Sequence, residues 1–266
     1  MTPPAISEFS DRTLDPQVVG FLHAPVTPNG NGLILTHGAG GNAQASLLRA
    51  LAETFAEAGF TVLRCNLPFR QARSFGPPGP ADAARDRAGL RNAIAALHKE
   101  MGHKETGAPP LSRRSLAGQR EDFDVHAESE QKPDASKRGI YLGGHSYGGR
   151  QSSMLCAEEP DVAAGLVLLS YPLHPPRRPE QQRTQHLPDL RTTTLFVHGT
   201  RDPFGTIEEL QRAMKMIPAK TKLLTVEGAG HDLGFKAAGK HQELPARIFE
   251  QLSNFMTIRA ASGQQI

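Results

Sequence analysis

A chain of 266 residues can bury a sizeable core and suits one large α/β domain or two small ones. Charged residues are 21% and the net charge is only +3, with basic residues scattered and no one-sign block, so no nucleic-acid partner is indicated. No apolar run approaches the roughly 20 residues that cross a bilayer, and Met1 to Glu8 lack a basic-then-apolar leader, so the expectation is a cytoplasmic protein without membrane association.

In chain order, Val18 to Leu22 reads as an early strand, paired with residues near Ser7 to Leu14. Gly32 to Thr36 is the next strand and runs into His37-Gly38-Ala39-Gly40-Gly41-Asn42. A helix follows, with Asn42 as candidate N-cap, Leu48, Leu51, Ala52 and Phe55 on one face, and Gly59 where it should stop. Phe60 to Cys65 is a strand. The loop from Asn66 to Pro80 carries four prolines and is expected to be irregular. A second helix runs from about Asp82 to Met101, with Leu90, Ile94, Leu97 and Met101 on one stripe. From about 103 to 137 the chain is polar and nearly devoid of apolar residues, which predicts a mobile insertion.

The rhythm resumes with a strand from Ile140 and a helix through Met154, Leu155 and Cys156. Gly165 to Ser170 is a strand, followed by a Pro-rich stretch from Pro172 to Leu190. After the strand Thr194 to Val197, Thr206 and Glu209 form a capping box. The helix it opens carries the apolar stripe Ile207, Leu210, Met214 and Ile217. Leu223 to Val226 is the last strand, and a final helix from about Glu243 buries Ile248, Leu252 and Phe255. Short apolar strands alternating with amphipathic helices predict a mostly parallel sheet with helices on both faces, three layers in one domain over 1–266. Cys65 and Cys156, both in apolar surroundings, read as buried reduced thiols rather than a disulfide or metal site. No metal or cofactor is expected.

The densest motif is Gly144-His145-Ser146-Tyr147-Gly148. It fits G-x-S-x-G, a sharp strand-to-helix turn that lifts a serine hydroxyl above the sheet edge. A Cβ two residues before or after the serine would meet neighbouring backbone, which accounts for the glycines. In open α/β sheets ligands lie beyond the carboxyl ends of the strands. At that edge stand Ser146, Asp202 in Arg201-Asp202-Pro203 and His231 in Gly230-His231-Asp232, in the chain order Ser, Asp, His. A serine needs a neighbouring base to become nucleophilic. His231 is the candidate base, and Asp202 the residue that fixes its tautomer. The backbone N–H of Ala39 or Gly40 and that of Tyr147 are candidate oxyanion donors. Singly, Asp202 could be turn chemistry and His231 a surface histidine; Asp232 is the alternative acid, and His145 more naturally shapes the elbow. The coincidence of all of them favours a catalytic triad.

With those residues in view, the sequence resembles the α/β-hydrolases of the small dienelactone-hydrolase-like kind. More specifically it is similar to predicted bacterial hydrolases related to the hydrolase-like domains of a testis-expressed protein and a chromatin-complex subunit. The blocks carrying this are Thr36 to Gly40, Gly143 to Arg150, Tyr171 to Pro176, His198 to Gly205 and Gly230 to Leu233. The resemblance implies a serine-hydrolase fold over roughly Gly32 to Phe255, says little about substrate, and includes relatives regarded as scaffolds. The polar insertion departs from it.

Between Ser170 and Thr194 there is room for a turn or short helix and none for a large lid domain, so a small-molecule ester (or thioester or lactone) in an open site is expected. His37, Tyr171, His174 and Phe204 are candidate substrate-binding residues, with Tyr147, Leu173 and Leu233 as further walls. Arg70, Arg150 and Arg201 either favour a carboxylate-bearing substrate or form structural ion pairs. Two rivals stand beside the hydrolase. Gly38 to Ala43 fits G-x-G-x-x-A, as in an NADP-binding oxidoreductase, though Arg64-Cys65-Asn66 offers no acid for a ribose. The other is a non-catalytic interaction protein that kept the fold. Oligomeric state is left open.

Overall fold

Five strands are buried on both faces along their whole length apart from the last residue of one, and these make the middle of the sheet. In the computed structural model, which describes residues 2–105, 139–235 and 242–256, the strands are β1 (Ala5–Asp11), β2 (Val18–Ala24), β3 (Gly32–Thr36), β4 (Thr61–Cys65), β5 (Ile140–His145), β6 (Gly165–Leu169), β7 (Thr194–Gly199) and β8 (Thr221–Val226). They form one sheet in the order β1-β2-β4-β3-β5-β6-β7-β8. β1, β2 and β4 pair antiparallel, and everything from β4 through β3 to β8 is parallel.

Among the described residues six helices cover it: α1 (Ser46–Glu57), α2 (Pro68–Ala72), α3 (Asp82–Glu105), α4 (Tyr147–Glu158), α5 (Ile207–Met214) and α6 (Leu244–Met256). Side chains alternate across a strand, so Leu33 and Leu35 of β3 pack with α1 and α6 while Ile34 between them packs with α3, α4 and α5. β5 lies between β3 and β6, whose connections go to opposite faces, and such a switch point opens a crevice at the carboxyl edge. The three-layer arrangement agrees with the sequence reading. From β6 to β7 the chain holds only turns and a single 3-10 turn at Leu187–Asp189, and no lid domain.

Some local expectations are corrected. The proline-rich loop is not wholly irregular: Pro68 sits at the first turn of α2, where its missing N–H is no loss and its fixed φ suits a helix. Asn42 does not cap α1. Its side chain accepts from the N–H of Gln44 (2.8 Å), closing a local turn, and α1 begins only after Ala45. Gly59, with φ +97°, does end that connection. Ile217 falls beyond α5 yet is buried, and Phe255 is only half-buried, beneath the Lys222 ammonium. α3 continues to Glu105; the polar segment lies, from 106 to 138, outside the described residues. The Thr206–Glu209 capping box is present in both halves, at 3.2 and 2.8 Å. Cys65 and Cys156 are buried and free, and burial pushes both thiols up to about 12. Among the described residues no helix is long and apolar enough to cross a membrane.

Candidate active site

β5 delivers its last residues into a turn whose geometry depends on glycine. Ser146 sits at φ 52°, ψ −116°, a conformation that L-residues avoid. A Cβ on Gly144 would strike the backbone of Gly148 and Gly149, and one on Gly148 would strike Thr36 and the His37 carbonyl. The strained serine is held by its own N–H, which donates to the Leu169 carbonyl of β6 at 2.8 Å. α4 starts at once with Tyr147, so the hydroxyl stands at the crevice while the helix runs beneath.

Two loops at the same edge meet it. The loop after β7 brings Asp202 and the loop after β8 brings His231. Ser146 Oγ lies 2.8 Å from His231 Nε2, and His231 Nδ1 lies 2.8 and 3.1 Å from the two Asp202 oxygens. Burial works to raise the Asp202 pKa, but the hydrogen bond and charge of His231, the Phe204 N–H and nearby His198 together bring it below its usual value. An ionised carboxylate only accepts, so Nδ1 carries the proton and Nε2 presents its lone pair to the serine O–H. Asp202 Oδ1 also accepts from the Phe204 N–H at 2.9 Å. Asp232 instead accepts from the Gly234 N–H at 3.1 Å.

His145 holds His231 from its other side. Its Nε2 donates to the His231 carbonyl at 2.7 Å, and enclosure lowers its pKa to about 4 against the opposing effect of that bond. His145 therefore stays neutral and adds no charge beside His231. Phe204 lies over the His231 ring, 4.1 Å between centroids.

The crevice is a cavity of about 780 Å³ lined by, among others, His37, Ala39, Gly40, Ser146, Tyr147, Phe204 and His231. Among the described residues the N–H groups of Ala39, Gly40 and Tyr147 have no acceptor. The loop bearing the first two is clamped by Arg70 of α2, whose guanidinium donates to the carbonyls of Gly41 (2.9 Å), Ala39 (2.7 Å), Gly76 (3.0 Å) and Arg73 (3.3 Å). In a trans peptide the N–H points opposite to the C=O, so holding the Ala39 carbonyl aims the Gly40 N–H away from Arg70. His37 lies under this loop. It accepts from the Leu67 N–H at Nε2 (3.1 Å) and donates from Nδ1 to Gly38 (2.9 Å), and burial takes its pKa to about 4.

Other expected walls lie elsewhere. Tyr171 is 1% exposed and donates its hydroxyl to the Arg183 carbonyl at 2.7 Å. His174 faces Glu209 (3.3 Å) and holds the Phe204 carbonyl through its backbone N–H. Leu173 and Leu233 are fully buried, and none of these four lines the cavity. The chain leaves β6 through left-handed Ser170 (φ 48°), after which Tyr171 and Leu173 turn into the core while Pro172 between them stays at the crevice wall. Arg70 is committed to carbonyls, and Arg201 is exposed and not part of the cavity wall.

Two residues not singled out from the sequence matter here. Asp86 stands one turn before Leu90 on the apolar stripe of α3, and a carboxylate on such a stripe signals a buried partner. It accepts the Tyr147 hydroxyl (2.7 Å) and the Phe69 N–H (3.0 Å), tying the elbow to α2 and α3, and burial raises its pKa. Gln151, one turn before the buried Leu155 on α4, carries the same signal.

The family model described as alpha/beta hydrolase domain matches residues 98–257, more than half of the chain, and that span includes Ser146, Asp202 and His231. The structure is similar to a dienelactone hydrolase from Anabaena variabilis, with a TM-score of 0.65 at 19% identity over 97% of this chain and 100% of the other. It is also similar to an esterase from Pyrococcus furiosus, with a TM-score of 0.64 at 16% identity over 95% and 92%. A third likeness is to a serine hydrolase without a lid from Xanthomonas campestris, with a TM-score of 0.61 at 12% identity over 98% of each chain. At such identities the likeness concerns the fold.

Proposed function

This chain belongs to the alpha/beta hydrolase domain family, and from that premise we propose that it is a serine hydrolase that cleaves a small ester through an acyl-enzyme on Ser146, acting as a single domain. The observation that carries the reading is the unbroken chain Asp202–His231–Ser146, with 2.8 Å at each link, ending on a serine held at positive φ. His231 Nε2 takes the serine proton as Oγ attacks the carbonyl carbon, and Asp202 stabilises the imidazolium that forms. The tetrahedral oxyanion is met by the N–H of Tyr147 and that of Gly40 or Ala39, donors that cost no reorganisation when charge develops. Collapse breaks the ester C–O bond, and His231 returns its proton to the departing alcohol. A water then repeats the sequence on the acyl-enzyme and frees Ser146.

Phe204 packs on the base and forms the cavity wall beside it. His37 serves the site from below, by fixing the loop of the oxyanion donors. Neither the dinucleotide reading nor a purely scaffolding role gains an observation of its own: α1 starts at Ser46, past the Gly38 to Ala43 loop, so a pyrophosphate there would not sit on the helix N-terminus.

A fluorophosphonate probe tests the reading. It is expected to modify Ser146 and to fail with Ser146→Ala. p-Nitrophenyl esters are expected to be cleaved fastest with short acyl chains. Absence of adduct on the wild-type protein would remove the acyl-enzyme, and equal or better turnover of long chains would remove the small-ester assignment.

A further inference from the structure

α4 places Arg150 one helical turn past Ser146, about 6 Å along the axis and on the same face. The side chain lines the cavity, yet its Nε is buried with no hydrogen-bond partner among the described residues. Next to it Gln151, fully buried and also at the cavity wall, gives its oxygen to Arg87 (3.1 Å) and leaves Nε2 without a partner. Arg183, from the Pro-rich stretch after β6, also lines this end of the cavity; among the described residues its guanidinium donates only to the Pro172 carbonyl (3.2 Å). Among the described residues neither Arg150 nor Arg183 has a carboxylate within ion-pair distance. Arg87, which holds the Gln151 oxygen, is itself engaged by Glu158 at 2.9 Å, and Glu158 also meets Arg91 at 3.3 Å. Desolvation and then repulsion from Arg150 lower the Arg183 pKa, so two like charges are held near each other against their preference.

Every unmet group at this end is a donor: a guanidinium edge, an amide N–H2 and a second guanidinium. A neutral hydroxyl or carbonyl could use one of them, whereas a carboxylate can accept from several at once and also offsets the charge. On the reading of Ser146 as nucleophile, we infer that the Arg150–Gln151–Arg183 end of the cavity is an anion subsite, and that the ester cleaved carries a carboxylate a few bonds from its scissile carbonyl.

The test compares p-nitrophenyl hemiglutarate with p-nitrophenyl butyrate. The ratio of their kcat/KM values is expected to favour the hemiglutarate at least tenfold at low salt and to shrink as ionic strength rises, since partly exposed charges are screened. Arg150→Gln and, separately, Arg183→Gln are expected to lower that ratio about tenfold each, with two variants guarding against one that folds badly. Isothermal titration of Ser146→Ala with monomethyl glutarate reads the same subsite without turnover, and binding should weaken in parallel in the double variants. Cleavage of both esters with no carboxylate preference, or with a preference that survives both substitutions, overturns the subsite and leaves the hydrolase standing. Failure to cleave either ester or to take the fluorophosphonate overturns the hydrolase. The titration then decides the subsite separately: carboxylate binding lost with Arg150 sustains it, and absence of binding removes it.

Discussion

On the His231 side of Ser146 the groups that touch the imidazole are matched. Asp202 accepts from His231 Nδ1 and from the Phe204 N–H, and His145 holds the His231 carbonyl. On the Arg150 side, one turn of α4 away, donors stand without acceptors among the described residues at Arg150 Nε and Gln151 Nε2. Matched groups in a dry setting are already oriented and need no rearrangement when charge develops. Unmatched donors are stable only while solvent or a ligand completes them. On the proposed function, the contrast separates the part of the crevice assigned to chemistry from the part assigned to selecting what enters.

The largest break in this contrast comes from Asp202→Asn. The amide can donate to Nδ1 and so favours the tautomer with its proton on Nε2, where it no longer accepts from Ser146, and kcat is expected to fall by about 10⁴-fold. Titration of a carboxylate ligand at the Arg150 end should be unchanged, since the matched side alone is disturbed. Loss of binding there would join the two sides into one unit.

Arg70→Ala removes four carbonyl anchors from the oxyanion loop and its surroundings. One misplaced oxyanion donor is expected to cost about 10²-fold in kcat with little change in KM. Lysine at 70, a point charge without the planar fork, should recover little of it. A change confined to KM would instead assign Arg70 to substrate binding.

The smallest effect is on folding. Burial takes His23, His37, His145 and His186 to about 4. The unfolded chain protonates these rings near 6.5, so between 6.5 and about 4 it binds more protons than the folded one, and stability falls as pH drops through that window. Urea midpoints are therefore expected to be flat above pH 7 and to decline steadily from pH 6.5 to 4.5. A flat profile across that range would mean the rings are charged in the fold.

The sheet and its order of chemistry were legible because they rest on local pattern. β3, β5, β6 and β7 are apolar runs that end in, or lead straight into, glycine, serine or histidine, and the tight turn at Ser146 requires small neighbours that a reader can see in Gly144 and Gly148. The clamp at Arg70 was not legible, because its acceptors are carbonyls, which every residue has. Arg183 meets Arg150 at the cavity only through the path the chain takes after β6. Tyr171 and His174 misled for a related reason: their amphipathic side chains suit a pocket wall, and only the turn at Ser170 decides that they enter the core. Asp86 was the readable signal left unread, a carboxylate in register with four apolar residues.

The two sulfhydryls, sealed within the core, have a practical use. A thiol held up to about 12 offers almost no thiolate to an alkylating dye at neutral pH, and the sequence contains no other cysteine. Phe75, 82% exposed, stands two residues before Pro77, where the chain joins the cavity rim. A maleimide fluorophore attached through Phe75→Cys would thus go to one place on the native protein and report occupancy of the crevice without further engineering.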